Sequence, residues 1–330
     1  MKRILWLILL SFIIIGCSQD TTNQEGKVKG KDVKNSVSLF LDWTPNTNHT
    51  GIYVAKEKGF YDEVGLDVDI LLPGEVSAEQ LVATGRGEFG ISFQTEVTQA
   101  RAQDLPVVSI GAIIQHETSG YASPVEKGIE SPKDFNGKVY GAYGSLLEES
   151  MIELVMSRDG AEMDDVEIVQ LGNSDFFIAT ENEIDFVSIF YAWTGIEAEI
   201  RDVELNFIQK SEYAEELDTY SPVIITSENM IAENPEIVQA FMDATVKGYE
   251  FAIENPSEAA EILIEAEPDL DQELVRRSQE WLSPRYQDDA EKWGIQDETR
   301  WQTFADFMFE NGIIEKEIDA KEAFTNEFIE

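Results

Sequence analysis

Short apolar runs and segments of helical period alternate along this chain, and that alternation limits its fold more than any other feature. Val37–Leu41 reads as a strand and Gly51–Lys58 as a helix. Leu66–Leu71 is a strand, followed by a helix over Ala78–Thr84 that Ser77 opens. Phe89–Ser92 is a short strand, Glu96–Gln103 a helix and Val107–Gln115 a longer strand. Strand and helix in strict turn predict a largely parallel sheet covered by helices. A second unit of the same kind begins after Gly120. Its strands fall at Lys138–Ala142, Val166–Val169, Asp185–Ile189 and Leu205–Ile208, and its helices at Leu146–Arg158, Asp175–Thr180 and Thr194–Arg201.

Pro222–Thr226 returns as a strand, and from Ser227 onward the chain reads as nearly all helix. With no third sheet to cover, those helices are expected on the first unit, which makes that unit discontinuous. The expected division is 37–121 plus 225–330 for lobe I and 122–224 for lobe II, with crossings near Gly120–Ser123 and Ser221–Thr226. The fold class is therefore α/β, a two-lobe architecture like that of the type II periplasmic binding proteins. Each lobe is a mostly parallel sheet flanked by helices, and a two-strand hinge lets the lobes close on a ligand.

The first residues read as a targeting segment, not as fold. Lys2 and Arg3 precede an apolar stretch, Ile4 to Ile15, that is short for a membrane span. Ile14-Ile15-Gly16-Cys17 has the form of a bacterial lipoprotein signal ending at the cysteine that becomes acylated. Residues 18–36 are polar and read as a flexible tether. An extracytoplasmic protein, lipid-anchored to the cell membrane through Cys17, is the expectation. Cys17 is the only cysteine, and His49 and His116 are the only histidines, so disulfides, thiolate catalysis and multi-histidine metal sites have no material. The formal charge of −41 is spread through helical segments, which reads as a strongly hydrated surface and argues against nucleic acid.

Four strand exits are chemically unusual, and in a parallel sheet such exits line the ligand crevice. They are Asp42-Trp43 through His49, Ser92-Phe93-Gln94-Thr95-Glu96, Tyr143-Gly144-Ser145, and Phe190-Tyr191-Ala192-Trp193-Thr194-Gly195-Ile196-Glu197. Each combines aromatic rings with acceptors or amides, and none contains lysine or arginine. A pocket for phosphate or sulfonate would normally supply such cations. These exits fit a flat, polar, non-anionic ring instead, with faces to stack on and carboxylates at its edge. The candidate ligand-binding residues are Asp42, Trp43, Asn46, Asn48, His49, Gln94, Glu96, Tyr143, Gly144, Tyr191, Trp193 and Glu197. Trp43 reads as a stacking face, with capping of the sheet as its alternative. One of Asn46 and Asn48 is expected to be only a turn former. His49 stands evenly between a functional role and a loop hydrogen bond. Ser145 and Glu148 form a capping box, so Glu148 is read as structural. Glu96 has the alternative of favouring a helix start, and Glu197 of being a solvated helix carboxylate.

At these residues the chain resembles a known family. Leu41-Asp42-Trp43-Thr44-Pro45-Asn46-Thr47-Asn48-His49-Thr50-Gly51, Gln94-Thr95-Glu96-Val97-Thr98-Gln99-Ala100-Arg101, the Phe190–Glu197 stretch and Trp281-Leu282-Ser283-Pro284-Arg285-Tyr286 look like the thiamine-pyrimidine branch of the substrate-binding proteins. The resemblance implies a lipoprotein that binds formylaminopyrimidine, a thiamine breakdown product, and delivers it to the permease and ATPase subunits of an ABC importer for salvage. It implies a monomer with no cofactor, no metal and no catalytic residue. In that role Trp43 and Tyr143 or Tyr191 would sandwich the ring, while Glu197 and Asn48 would read its nitrogens. The superfamily also includes a fungal thiamine pyrimidine synthase, which supplies the alternative of an enzyme using His49. The synthase's cysteine-rich motif is missing here. Another aromatic amine, such as thiamine itself, is the remaining alternative for the ligand.

Overall fold

The computed structural model describes residues 34–329 apart from 73 and 173. Cys17 and nearly all of the expected tether lie outside the described residues. Within them the chain builds two five-stranded sheets. The first is entered by β1 (Asn35–Phe40), β2 (Leu66–Leu71), β3 (Phe89–Ser92) and β4 (Val107–Ala112). The second is formed by β5 (Ser119–Pro124), β6 (Val139–Ala142), β7 (Glu167–Gln170), β8 (Phe186–Phe190) and β9 (Leu205–Gln209), after which β10 (Val223–Ser227) returns to the first. Their strand orders are β2-β1-β3-β10-β4 and β7-β6-β8-β5-β9. In each sheet the fourth strand runs antiparallel to both neighbours, and the other four run together. The expected mostly parallel, two-lobe α/β fold is thus observed, and the two sheets share one topology.

The hinge differs in detail from expectation. The expected crossings are Gly120–Ser123 and Ser221–Thr226, yet Ser119–Pro124 and Val223–Ser227 are buried along their whole length as the antiparallel strands of their sheets, which leaves only Ser221 and Pro222 of the expected stretches in a join. The joins lie just before them, in residues 113–118 and 218–222. There the Ile113 amide donates to the Pro222 carbonyl at 2.9 Å, so the two crossings touch. β4 stops at Ala112, short of the expected Gln115, because the chain has to leave the sheet there. β1 begins at Asn35, inside the expected tether.

The first core gathers Leu39, Ile91, Ile110 and Ile224 from the sheet with Ile52 and Phe241 from helices, and Phe89 stacks on Phe241 at 3.8 Å. The helix Thr50–Glu57 lies against the long helix Pro235–Glu254 at a point where both present glycine. A methyl on Gly248 would sit 2.0 Å from the Gly51 carbonyl oxygen, so the two backbones approach as closely as side chains permit. The second core is aromatic. Tyr121, Phe135, Tyr140 and Phe186 meet there, with Phe135 and Phe186 stacked at 4.2 Å.

The C-terminal helices do not all cover the first lobe. The helix Glu298–Glu310 is shared between the two. Trp301 packs in the first lobe with Val107 and Tyr220, whereas Phe304, Phe307 and Met308 join the aromatic core of the second. Burying apolar residues on two sides of one helix ties the lobes together.

Candidate functional site

A cavity of about 700 Å³ opens between the lobes at the carboxyl ends of the parallel strands. Asp42, Trp43, Asn46, Asn48, Phe93 and Glu96 line it from the first lobe. Tyr143, Phe190, Trp193, Glu197 and Lys210 line it from the second, and Glu117, Ser119 and Ser221 line it at the crossings. A smaller recess of about 450 Å³ near Arg158 and Glu216 lacks such a set, and there the two charged groups pair with each other.

The turn after β1 is built from inside. The Asn46 side chain accepts the Asn48 amide at 2.9 Å and donates to the Thr44 carbonyl at 3.0 Å, so Asn46 is the turn former of the pair. His49 is completely buried. Its Nδ1 accepts the Asn46 amide at 3.3 Å, which places the proton on Nε2, and Nε2 donates to Asp42 Oδ1 at 2.7 Å. His49 therefore orients Asp42 and does not border the cavity, which corrects the expectation of direct contact. The Asn48 carbonyl accepts the Tyr249 hydroxyl at 2.7 Å, while its side-chain amide has no partner among the described residues. That amide is left to read a ligand. Trp43 is 48% exposed, its indole open to the cleft and not capping the sheet.

The turn after β6 is built from the helix that follows it. Glu148 accepts the Tyr143 amide at 3.1 Å and the Gly144 and Ser145 amides at 2.9 Å each, and takes the Tyr140 hydroxyl at 2.7 Å. The capping box expected of Ser145 and Glu148 is present. Gly144 has φ of +108°, a backbone region where a side chain is strained. It shapes the loop and does not itself line the cavity, so only its neighbours Tyr143 and Ser145 do. Tyr143 is 52% exposed, and its hydroxyl donates to the Ser188 carbonyl at 3.1 Å. Protein packed around its hydroxyl end, with Glu148 near, raises the phenol above its ordinary pKa.

Two more of the expected residues are engaged elsewhere. Gln94 is buried, accepting the Tyr220 amide at 2.9 Å and donating to the Arg300 carbonyl at 3.3 Å, so it pins the second crossing. Tyr191 turns away from the cavity within a π-helical turn over Tyr191–Gly195. It tilts against Trp281 at 5.3 Å and donates to Glu199 at 2.8 Å, and burial with Glu199 nearby pushes its phenol up to about 12. Trp193, from the same turn, lines the cavity while packing against the first-lobe cluster that includes Tyr53 and Leu263. Glu197 pairs with Arg201 through one oxygen and keeps the other free of protein partners among the described residues. Glu96 is exposed to the cleft. Protein around its carboxyl group, reinforced by Glu79, raises its pKa.

The lobes already touch around the cavity. Phe93 and Phe190 stack across it at 6.0 Å, and Ser278 donates to the Ala192 carbonyl behind it. Arg277 meets Glu199 at 2.5 Å on the same side.

The strand exits singled out in sequence did not include Lys210. It follows β9, is 8% exposed, and is the one cation among the described residues that line the cavity. The four exits themselves hold no lysine or arginine, and Lys210 enters the cavity from a fifth. β9 runs parallel to β8, so its exit reaches the same edge, and that topological rule was the signal that could have found it. Phe93 and Phe190 stood in the quoted stretches without being singled out. Phe176 and Phe177 are buried and also form cavity wall.

Two lobes of like topology around such a cavity define the periplasmic-binding-protein fold. The periplasmic aliphatic sulphonate-binding protein of Escherichia coli superposes with a TM-score of 0.67 at 12% identity, covering 87% of this chain and 91% of that one. The family model described as NMT1/THI5 like matches residues 46–259, and this chain belongs to that family. Among its relatives, a formylaminopyrimidine-binding protein of Halalkalibacterium halodurans is 27% identical over 98% of each chain. A 4-amino-5-hydroxymethyl-2-methylpyrimidine phosphate synthase of Legionella pneumophila is 26% identical over 90% of this chain and 93% of the relative.

Proposed function

We propose that this chain is the solute-binding lipoprotein of an ABC importer and that it takes formylaminopyrimidine for thiamine salvage. The observation that carries the reading is the pairing of two half-exposed rings from different lobes, Trp43 and Tyr143, on one cavity whose edge holds Asn48, Glu96 and Glu197. A flat heterocycle would stack on the rings, and its amino group would meet carboxylate oxygens in charge-assisted hydrogen bonds. Contacts from both lobes link affinity to closure, which suits a carrier that must signal occupancy to a permease. The relative from Halalkalibacterium halodurans supports the ligand. The Ile14–Cys17 pattern supports extracytoplasmic anchoring, and no helix of the described residues is long and apolar enough to cross a membrane.

Isothermal titration with formylaminopyrimidine tests the reading. One ligand bound per chain, with a raised melting temperature, is expected. Absence of both heat and thermal stabilisation overturns it. The synthase reading has the Legionella pneumophila relative in its favour. The histidine it was built on, however, is sealed beneath Asp42 and does not reach the cavity. Incubation with pyridoxal phosphate and iron, followed by mass analysis, is expected to leave His49 unchanged.

A further inference from the structure

Lys210 is a buried cation without a bonded partner among the described residues. Among the described residues no carboxylate comes within salt-bridge distance of its ammonium and none accepts a hydrogen bond from it. Its nearest aromatic ring, that of Tyr121, lies 5.7 Å away. The two carboxylates that could have served it are committed. Glu117 accepts the Ser119 amide at 2.7 Å and the Thr219 hydroxyl at 2.9 Å, and Glu148 holds the Tyr143–Ser145 turn. Burial lowers the lysine's affinity for its proton, while Glu117 and Glu148 oppose that at longer range. Removing an ammonium from water is costly unless its donors find acceptors, and here the cavity is the side left open.

The missing acceptor is therefore on the ligand. An anionic group would suit Lys210 alone but would also face Asp42, Glu96, Glu117 and Glu197 in the same cavity. A neutral carbonyl oxygen serves the ammonium without that repulsion, while exocyclic N–H groups serve the carboxylates. We infer that Lys210 is a specificity residue that donates to the carbonyl oxygen of the ligand's acyl substituent, so that the pocket selects N-acylated aminopyrimidines over the corresponding free amines. A free amine offers Lys210 no acceptor oxygen and leaves the buried ammonium unserved. This inference rests on the aminopyrimidine reading of the cavity.

Calorimetric titration of three probes separates the two: formylaminopyrimidine, its deformylated free amine, and the bare aminopyrimidine ring lacking the aminomethyl group. The native protein is expected to bind the formyl compound at least about 10-fold more tightly than the amine. Lys210→Met is expected to weaken formyl binding by about 10- to 100-fold and to shift ring binding by less than about 3-fold, which erases the preference. Lys210→Gln keeps a neutral N–H donor and is expected to retain an intermediate preference. Both variants should melt no lower than the native protein without ligand, because a buried cation is removed. Equal losses for all three probes, or an unchanged preference in Lys210→Met, overturn the inference and leave the aminopyrimidine reading standing. If the native protein binds none of the three, that reading falls and takes the inference with it.

Discussion

The turn after β1 and the turn after β6 occupy equivalent places in two sheets of one topology, yet they are held in opposite ways. In the first lobe the recognition groups rest on a buried frame: His49 under Asp42, Asn46 closing the turn, and the Tyr249 hydroxyl on the Asn48 carbonyl. In the second, a single carboxylate at the cavity wall, Glu148, gathers three successive amides and a phenol. The first frame is part of the core and forms with it. The second is a helix cap that can loosen without unfolding the lobe. The first lobe is thereby suited to presenting a fixed face to the ligand, and the second to adjusting as the cleft closes.

If the first turn is mounted on the core, disturbing its mount should be the most damaging change. Gly248→Ala drives a methyl into the Gly51 carbonyl, backbone against backbone, directly beneath the turn. A stability loss of about 3 kcal/mol or more is expected in urea unfolding, beyond the usual cost of overpacking because neither helix can yield. A loss under about 1 kcal/mol would mean that the mount is soft and that the contrast between the lobes fails.

The two frames can then be compared directly. His49→Ala leaves the Asp42 carboxylate half-served in a buried site and opens a cavity, so a loss of about 2–3 kcal/mol is expected. Glu148→Ala removes a cap from a solvent-facing loop, and about 1–2 kcal/mol is expected. Both should weaken ligand binding, the first because Asp42 turns and the second because Tyr143 is released. Equal stability losses in parallel denaturation curves would erase the distinction.

Sequence reasoning reached the capping frame and missed the buried one for a physical reason. Ser145-x-x-Glu148 is a local pattern whose geometry follows from helix spacing alone. His49, by contrast, could face inward or outward from its turn, and only the helix packed through Gly51 and Gly248 decides that. The strand and helix order was legible because period reports burial. Period does not say which sheet a helix covers, so the division of Glu298–Glu310 between the lobes at Trp301 and Phe304 was not. Gly120–Ser123 read as a link between the two units, although pairing with β8 and β9 on both sides makes it a central strand. Lys210 was lost because a lysine after an apolar strand ordinarily reads as solvated.

The stacking faces should separate affinity from stability. Trp43 and Tyr143 are about half exposed, so Trp43→Ala and Tyr143→Ala are expected to change unfolding free energy by about 0.5 kcal/mol or less while weakening the ligand by about 10-fold each. Tyr143→Phe should retain most of the affinity and lose only the anchor to the Ser188 carbonyl. If only one of the alanine variants affects titration, the ring is held by a single lobe and closure needs another cause.

The smallest effect belongs to the join between the lobes. His116 in the first crossing bonds Asp218 in the second at 2.7 Å, with Asp289 at 3.1 Å on its other nitrogen and Arg300 of the shared helix close to both. The Asp218 hydrogen bond raises the imidazole to about 9, against opposition from burial and Arg300. Burial alone would raise the Asp218 carboxyl, but His116 and Arg300 hold it below its ordinary value. A histidine raised in the folded state contributes its stabilisation in full below its unfolded pKa of about 6.5 and loses it as pH climbs through about 9. The imidazole is a third exposed, so solvent screening leaves about 1 kcal/mol. The native protein should therefore lose that amount between about pH 6.5 and 9.5, relative to His116→Gln. Parallel pH curves for the two proteins would show that the crossings are held by the shared helix alone, and that the lobes' contrast does not extend to the hinge between them.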